Sequence, residues 1–140
     1  AIDGDTIVVG AHATGANDAV YVYEFNSNAT VDPWEQAALY YAPPGAGSQY
    51  GVRVDISGDI ISVGDPEAVY IYARLDGTWK ANAVQTVTAS DGTPGDEFGV
   101  GIAIDGTTVV AGAYHDDTAV GVDSGSAYVF NLDPSGWDLV

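Results

Sequence analysis

An all-β chain built from consecutive four-stranded antiparallel sheets is predicted by three observations. A turn followed by a short apolar run occurs three times: Ile2-Asp3-Gly4-Asp5-Thr6-Ile7-Val8-Val9-Gly10, Ile56-Ser57-Gly58-Asp59-Ile60-Ile61-Ser62-Val63-Gly64 and Ile104-Asp105-Gly106-Thr107-Thr108-Val109-Val110-Ala111-Gly112. Further anchors follow each run in the same order, which marks an internal repeat of a few tens of residues. No segment sustains the 3.6-residue apolar period of a helix.

The elements follow from the repeat. The turn dipeptides Asp3-Gly4, Ser57-Gly58 and Asp105-Gly106 suit tight hairpins, because glycine tolerates the positive φ such a connection requires. The apolar run after each turn does not alternate with polar residues, so as a strand it needs cover on both faces. An aromatic strand comes next: Ala19-Val20-Tyr21-Val22-Tyr23, then Ala68-Val69-Tyr70-Ile71-Tyr72, then Ala127-Tyr128-Val129-Phe130. A tryptophan follows, at 34, 79 and 137, and the aromatic-glycine pairs Tyr50-Gly51 and Phe98-Gly99 lead into the next copy. In the middle copy the predicted strands are Tyr50 to Ile56, Ile60 to Gly64, Ala68 to Ala73, and Trp79 to about Thr88. Small sheets repeated at this spacing and covered on both faces are β-propeller blades, stacked around an axis where the glycine after each apolar run meets a crowded backbone. The reading is one repeat domain over 1–140, with approximate repeats 1–49, 50–97 and 98–140, the last truncated. It amounts to an incomplete propeller of about three repeats.

Charge narrows the partners. Twenty Asp and Glu against three Lys and Arg give −17, which repels nucleic acid and anionic membrane surfaces. Arg53, Arg74 and Lys80 are the only fixed cations, so most carboxylates lack an ion-pair partner and salt or divalent cations are expected to help the fold. No run is long and apolar enough for a membrane-spanning helix, so no membrane insertion is expected. There is no cysteine, and Asn28-Ala29-Thr30 is a glycosylation sequon. A start at Ala1 rather than Met fits a processed product or a piece of a longer chain.

The stretches "FGVGIAIDGTTVVAGAY" and "YGVRVDISGDIISVGDP" resemble the FG-GAP repeats of integrin α-chain propellers and of many secreted bacterial and archaeal proteins. The resemblance covers nearly the whole chain. It implies an extracellular or cell-surface β-propeller used mostly for adhesion and for protein or glycan binding. Integrin repeats carry an Asp-x-Asp-x-Asp-Gly calcium loop just before the apolar strand. Here Asp3-Gly4-Asp5, Ser57-Gly58-Asp59 and Asp105-Gly106-Thr107 stand in its place, too short to wrap that ion, so the integrin calcium site does not carry over. Propellers close with about four to eight blades. Three leave apolar end faces that call for a neighbour: further blades, a second copy completing a ring, or head-to-tail growth.

The candidate site is "AYHDDTAVGVDSGSAY", residues 113–128, the longest of the three connections between second and third strands. Its Asp116, Asp117 and Asp123, with carbonyls from a glycine-rich backbone, form a hard-oxygen set suited to calcium or another cation. The alternative is a solvated acidic turn. A second acidic loop, residues 90–99 with Asp91, Asp96 and Glu97, reads as a blade-to-blade connection. Trp34, Trp79 and Trp137 share one repeat position and so fit a structural slot better than sugar stacking. Tyr40-Tyr41 lies outside the register and is the better exposed-aromatic candidate. His12 and His115 have no aligned partners for a nucleophilic triad. The expectation is a noncatalytic extracellular segment serving structure, adhesion or binding of protein, glycan or copies of itself. The alternatives are a propeller-type carbohydrate-active enzyme using His115 and the Asp116 to Asp123 loop, and a glycan-binding lectin.

Overall fold

The structure is a computed structural model that describes residues 1–13 and 17–135. Trp137 lies outside the described residues. Three antiparallel sheets stack face to face without closing into a ring. The first runs in order through β1 (Ile2–Asp3), β2 (Thr6–Ala11), β3 (Ala19–Phe25) and β4 (Trp34–Tyr41). The second contains β5 (Arg53–Ser57), β6 (Ile60–Gly64), β7 (Val69–Leu75), β8 (Thr78–Trp79) and β9 (Gln85–Val87). The third, among the described residues, has β10 (Phe98–Asp105), β11 (Thr108–Ala113) and β12 (Ser126–Asn131). The glycines of the three hairpin turns, Gly4, Gly58 and Gly106, have φ of 52, 57 and 54°, the left-handed conformation expected of them.

Register makes the copies superimposable. Ile7 and Val9 pair with Tyr23 and Tyr21, Ile61 and Val63 with Tyr72 and Tyr70, and Val109 and Ala111 with Phe130 and Tyr128. Gly10 faces Val20, Gly64 faces Val69, and Gly112 faces Ala127. The third aromatic strand is therefore one residue out of step with the match starting at alanine: Ala127 occupies the position of Val20 and Val69, and Tyr128 that of Tyr21 and Tyr70. Strand alternation then sends the aromatic side chains toward the preceding sheet and the small aliphatic ones toward the next.

Two cores result. Val8, Val20, Val22 and Tyr40 of the first sheet pack against Ile61, Val63, Tyr70 and Tyr72 of the second. Val69, Ile71, Ala73 and Val87, from the other face of the second sheet, pack against Phe98, Val109, Ala111 and Phe130 of the third. Each fully buried aliphatic or aromatic side chain contributes about 1.5–3 kcal/mol. Between sheets the backbones nearly touch. A Cβ on Gly10 would lie 1.9 Å from the Gly51 carbonyl oxygen, and one on Gly64 would lie 2.0 Å from that of Gly99. The aromatic-glycine pair of each later sheet thus wedges against the glycine closing the apolar run of the earlier one. The aromatic member is buried beside its own sheet, Tyr50 edge-on to Tyr70 and Phe98 edge-on to Tyr128.

The outermost strand of the second sheet departs from the expected continuous run from Trp79 to about Thr88. β8 pairs with one end of β7 and β9 with the other. Lys80 N–H donates to the Ala73 carbonyl and Val84 N–H to that of Ile71, so Ala81 to Ala83 bulge outward between these bonds. The first sheet manages the same stretch with a smaller bulge between Val22 and Tyr23. Trp34 opposite Phe25 and Trp79 opposite Arg74 occupy one slot. In the second sheet that slot reaches back to the first: Trp79 Nε1 donates to Glu24 Oε1 at 2.9 Å, while Arg74 bridges Glu24 and Asp59 and lies 5.3 Å from the Trp79 ring.

Two outcomes check this packing. Gly64→Ala is expected to cost about 3 kcal/mol in denaturant unfolding, because the methyl must displace backbone rather than a side chain. Arg74→Ala is expected to cost about 1 kcal/mol in low salt, and less in high salt as screening weakens the ion pairs; a salt-independent loss would assign the effect to packing on Trp79.

Candidate functional site

The two acidic loops meet at the junction of the second and third sheets. His115 N–H donates to the Asp96 carbonyl at 3.2 Å, and the Tyr128 hydroxyl lies 2.7 Å from Asp91 Oδ1 and 3.2 Å from Asp116 Oδ2. A phenol has one proton, so these two carboxylates share a single donor. Asp91 and Asp96, given only a connecting role by sequence reasoning, are thus part of the same cluster. What sequence reasoning missed was the position of Tyr128, which the out-of-step third strand obscured.

The three acids proposed as cation ligands have separate partners. Asp116 is buried beneath Tyr128, and its carbonyl accepts Gly125 N–H at 2.9 Å. Asp117 Oδ1 accepts the backbone N–H of Asp123 at 2.8 Å, and Asp123 Oδ1 lies 3.1 Å from His115 Nδ1. Thr118 and Ser124 close the loop with a hydroxyl pair at 2.6 Å. Among the described residues no group of three His, Asp or Glu side chains gathers in a way that would hold a metal ion. The loop's acids fix its shape through N–H groups and hydroxyls.

Other candidates separate in the same way. Tyr41 is 65% exposed, whereas Tyr40 is buried, stacked on Tyr72 with ring centroids 3.9 Å apart. The Tyr40-Tyr41 pair is therefore corrected to a single exposed ring, because alternation along β4 turns Tyr40 into the interface between sheets. His12 is exposed just beyond β2 and His115 just beyond β11, where its ring faces Asp123. Asn28 is exposed in the turn between β3 and β4.

The end faces of the stack are the second feature of the surface. The apolar run is buried residue after residue in β6, but in β2 Val9 is 44% exposed and in β11 Val110 is 40% exposed. Phe25 and Val129 are open on the same two faces. Tyr21, Tyr23 and Phe25 stand where Tyr70, Tyr72 and Arg74 are packed, on the face of the first sheet turned away from the second.

Comparison with known families decides what the repeat is: residues 81–130 match the FG-GAP repeat. The chain carries an FG-GAP repeat. No curated protein and no solved structure matches the chain. The matched FG-GAP segment begins beyond Trp79, takes in β9 of the second sheet, and ends in β12 of the third. One sequence repeat therefore spans two sheets. The Tyr50-Gly51 pair ahead of β5 and the Ile60 to Gly64 run, outside the matched residues, keep the same pairing of first and second strands and the same wedge.

Tyrosine chemistry yields an alkaline prediction. The Tyr128 hydroxyl is pushed up to about 12, chiefly by its hydrogen bond to Asp91, with burial and Asp116 adding to it. Burial also raises Tyr50 and Tyr72, which share a hydroxyl contact at 2.6 Å, as well as Tyr40 and Tyr70. Values raised above the ordinary 10.0 favour the protonated fold, so this contribution is complete below about pH 10 and is lost as pH rises toward 12. Tyrosinate absorbance is expected to lag an unfolded control across that window, with unfolding promoted within it; titration near the ordinary value would contradict the buried hydroxyl network.

Proposed function

We propose that this chain is a noncatalytic segment of an extracellular β-propeller that serves structure, adhesion or the binding of protein or glycan, with its end sheets covered by neighbouring blades or by other copies. One observation carries the reading: the same apolar run is enclosed on both faces in the middle sheet and on one face in each end sheet. Uncharged aliphatic and aromatic side chains left open in a chain of formal charge −17 form a surface suited to association. The loops at residues 90–99 and 113–128, joined through Tyr128, supply a polar rim suited to recognition.

The test joins solution mass with binding of a hydrophobic dye, in calcium and in chelator. The wild-type chain is expected to bind dye and to associate as concentration rises. Pairing Val110→Asp with Val129→Asp is expected to abolish much of the association while leaving the fold, followed by circular dichroism, within about 1 kcal/mol of wild type. A strictly monomeric chain that binds no dye would overturn the open-face reading. Polysaccharide turnover lost on His115→Ala would replace it with the enzyme alternative, and a mass or melting shift requiring calcium would assign a cation to the Asp116 to Asp123 loop.

A further inference from the structure

A groove of about 660 Å³ runs between the outer strands of the first and second sheets and shares no residue with the two acidic loops. One wall is the end of β4 with the linker that leaves it, residues 39–45. The other is the bulge Ala81 to Ala83 with Thr86 of β9, and Tyr70 and Tyr72 of β7 complete the lining. The bulge makes the room. Where Trp79 to Thr88 would otherwise run straight beside β7, residues 81–83 swing out between the bonds at Lys80 and Val84 and leave an opening next to the tyrosines. The volume falls within the roughly 300–1,000 Å³ of small-ligand sites.

The lining sets the chemistry of what fits. No Lys, Arg, His, Asp or Glu side chain takes part in it, in a chain of formal charge −17. A charged ligand would leave water without meeting a counter-charge, and an anion would be repelled besides. Hydrogen-bonding groups, by contrast, are left over on the walls. No backbone N–H or C=O of Ala81, Asn82 or Ala83 has a backbone partner among the described residues, and Asn82 and Thr86 are exposed. Tyr40 lines the groove, and its hydroxyl is the one buried side-chain polar atom without a partner among the described residues. Flat apolar surface is present as well, in the 65% exposed Tyr41 and the exposed Pro44.

We infer that this groove is a binding site for a neutral oligosaccharide. Sugar hydroxyls both donate and accept, which suits a mixture of free N–H, C=O, amide and phenol groups, and a sugar ring presents an apolar face to an aromatic one. A proline-rich strand is the other uncharged ligand for a tyrosine-lined groove, but it offers carbonyl acceptors with few donors and docks on open rings, whereas Tyr40, Tyr70 and Tyr72 are buried. The inference rests on the binding reading above and deepens it by giving a ligand class and a site away from the loop rim.

The test titrates the parent chain by calorimetry with cellotriose, maltotriose and mannotriose, with trigalacturonate as the anionic comparison and a short polyproline as the peptide one. At least one neutral trisaccharide is expected to bind, and neither comparison ligand is. Tyr41→Ala, a change at an exposed ring, should weaken sugar binding about tenfold or more and leave Tm within about 2 °C. Asn82→Ala should weaken it about fivefold, the loss of one hydrogen bond. The inference is overturned if none of the three sugars binds, if trigalacturonate binds as well as they do, or if polyproline binds and Tyr41→Ala abolishes it. It is likewise overturned if sugar binding survives both Tyr41→Ala and Asn82→Ala, or is removed instead by Tyr114→Ala or by the Val110→Asp and Val129→Asp pair, which would move it to the loop rim or the end face. Mass and dye binding without sugar test the open-face reading separately, so a chain that associates and binds no sugar leaves that reading standing and removes this one.

Discussion

The stack depends on the close approach of two backbones at each junction. Gly10 against Gly51 and Gly64 against Gly99 leave no room for a side chain on the receiving glycine, and that contact sets how closely neighbouring sheets sit. Once the spacing is set, small aliphatic residues such as Val20 and Ile71 on one face and large rings such as Tyr70 and Phe130 on the next interdigitate. Tyr50 and Phe98 fill the gap beside the wedge, so adjacent residues in the chain make the contact and seal it. Neither member would do this alone. An aromatic without the following glycine could not bring its strand close, and a glycine without the aromatic would leave a void.

The acidic composition constrains how polar groups can be buried. With Arg53, Arg74 and Lys80 as the only cations, carboxylates inside the fold are satisfied by N–H groups and hydroxyls. Asp65, fully buried, accepts from the backbone N–H groups of Gly47, Glu67 and Ala68. Asp18 accepts from Ala13 N–H, and Asp96 from the N–H and hydroxyl of Thr93. Each buried acid fixes a connection rather than a strand, since loops have the free N–H groups that strands spend on one another. Arg74 is placed where one cation serves two sheets, between Glu24 of the first and Asp59 of the second. The apolar cores between sheets contain no charged side chain, and carboxylates that cross the junctions, such as Glu24 and Asp55, are met by Arg74 and Trp79 and by the Ile104 N–H.

Much of this was legible in the sequence because it depends on spacing. The turn glycines, the uninterrupted apolar runs and the aromatic-glycine pairs are local signals, and their order predicts sheets covered on both faces. What escaped depends on register across strands. Ala127 matches Ala19 and Ala68 by identity, yet in the sheet it takes the place of Val20 and Val69, because hydrogen-bond pairing with Gly112 overrides resemblance along the chain. The same blindness made Tyr40 and Tyr41 look equivalent. It also hid the bulge at Ala81 to Ala83, since a residue leaving a strand keeps the same neighbours in sequence. At the candidate site the acids were legible as residues but their partners were not: Asp91 and Asp116 are far apart in the chain, and only the fold brings both to Tyr128.

The offset between sequence repeat and sheet explains how successive sheets of the chain keep one spacing. The FG-GAP segment starts with the outer strand of one sheet and supplies three strands of the next, so the covalent link between sheets lies inside the repeat rather than between repeats. That link ends in Phe98-Gly99, as the preceding one ends in Tyr50-Gly51. The chain therefore delivers its wedge at the point where it leaves one sheet for the next, against the glycine that closes the earlier apolar run. Docking an unconnected sheet against the same glycine would carry the full entropic cost of association, whereas a connected one carries only that of closing a loop. Sheets joined in this way keep a common spacing even when their outer strands differ, as the bulged strands beside β3 and β7 do.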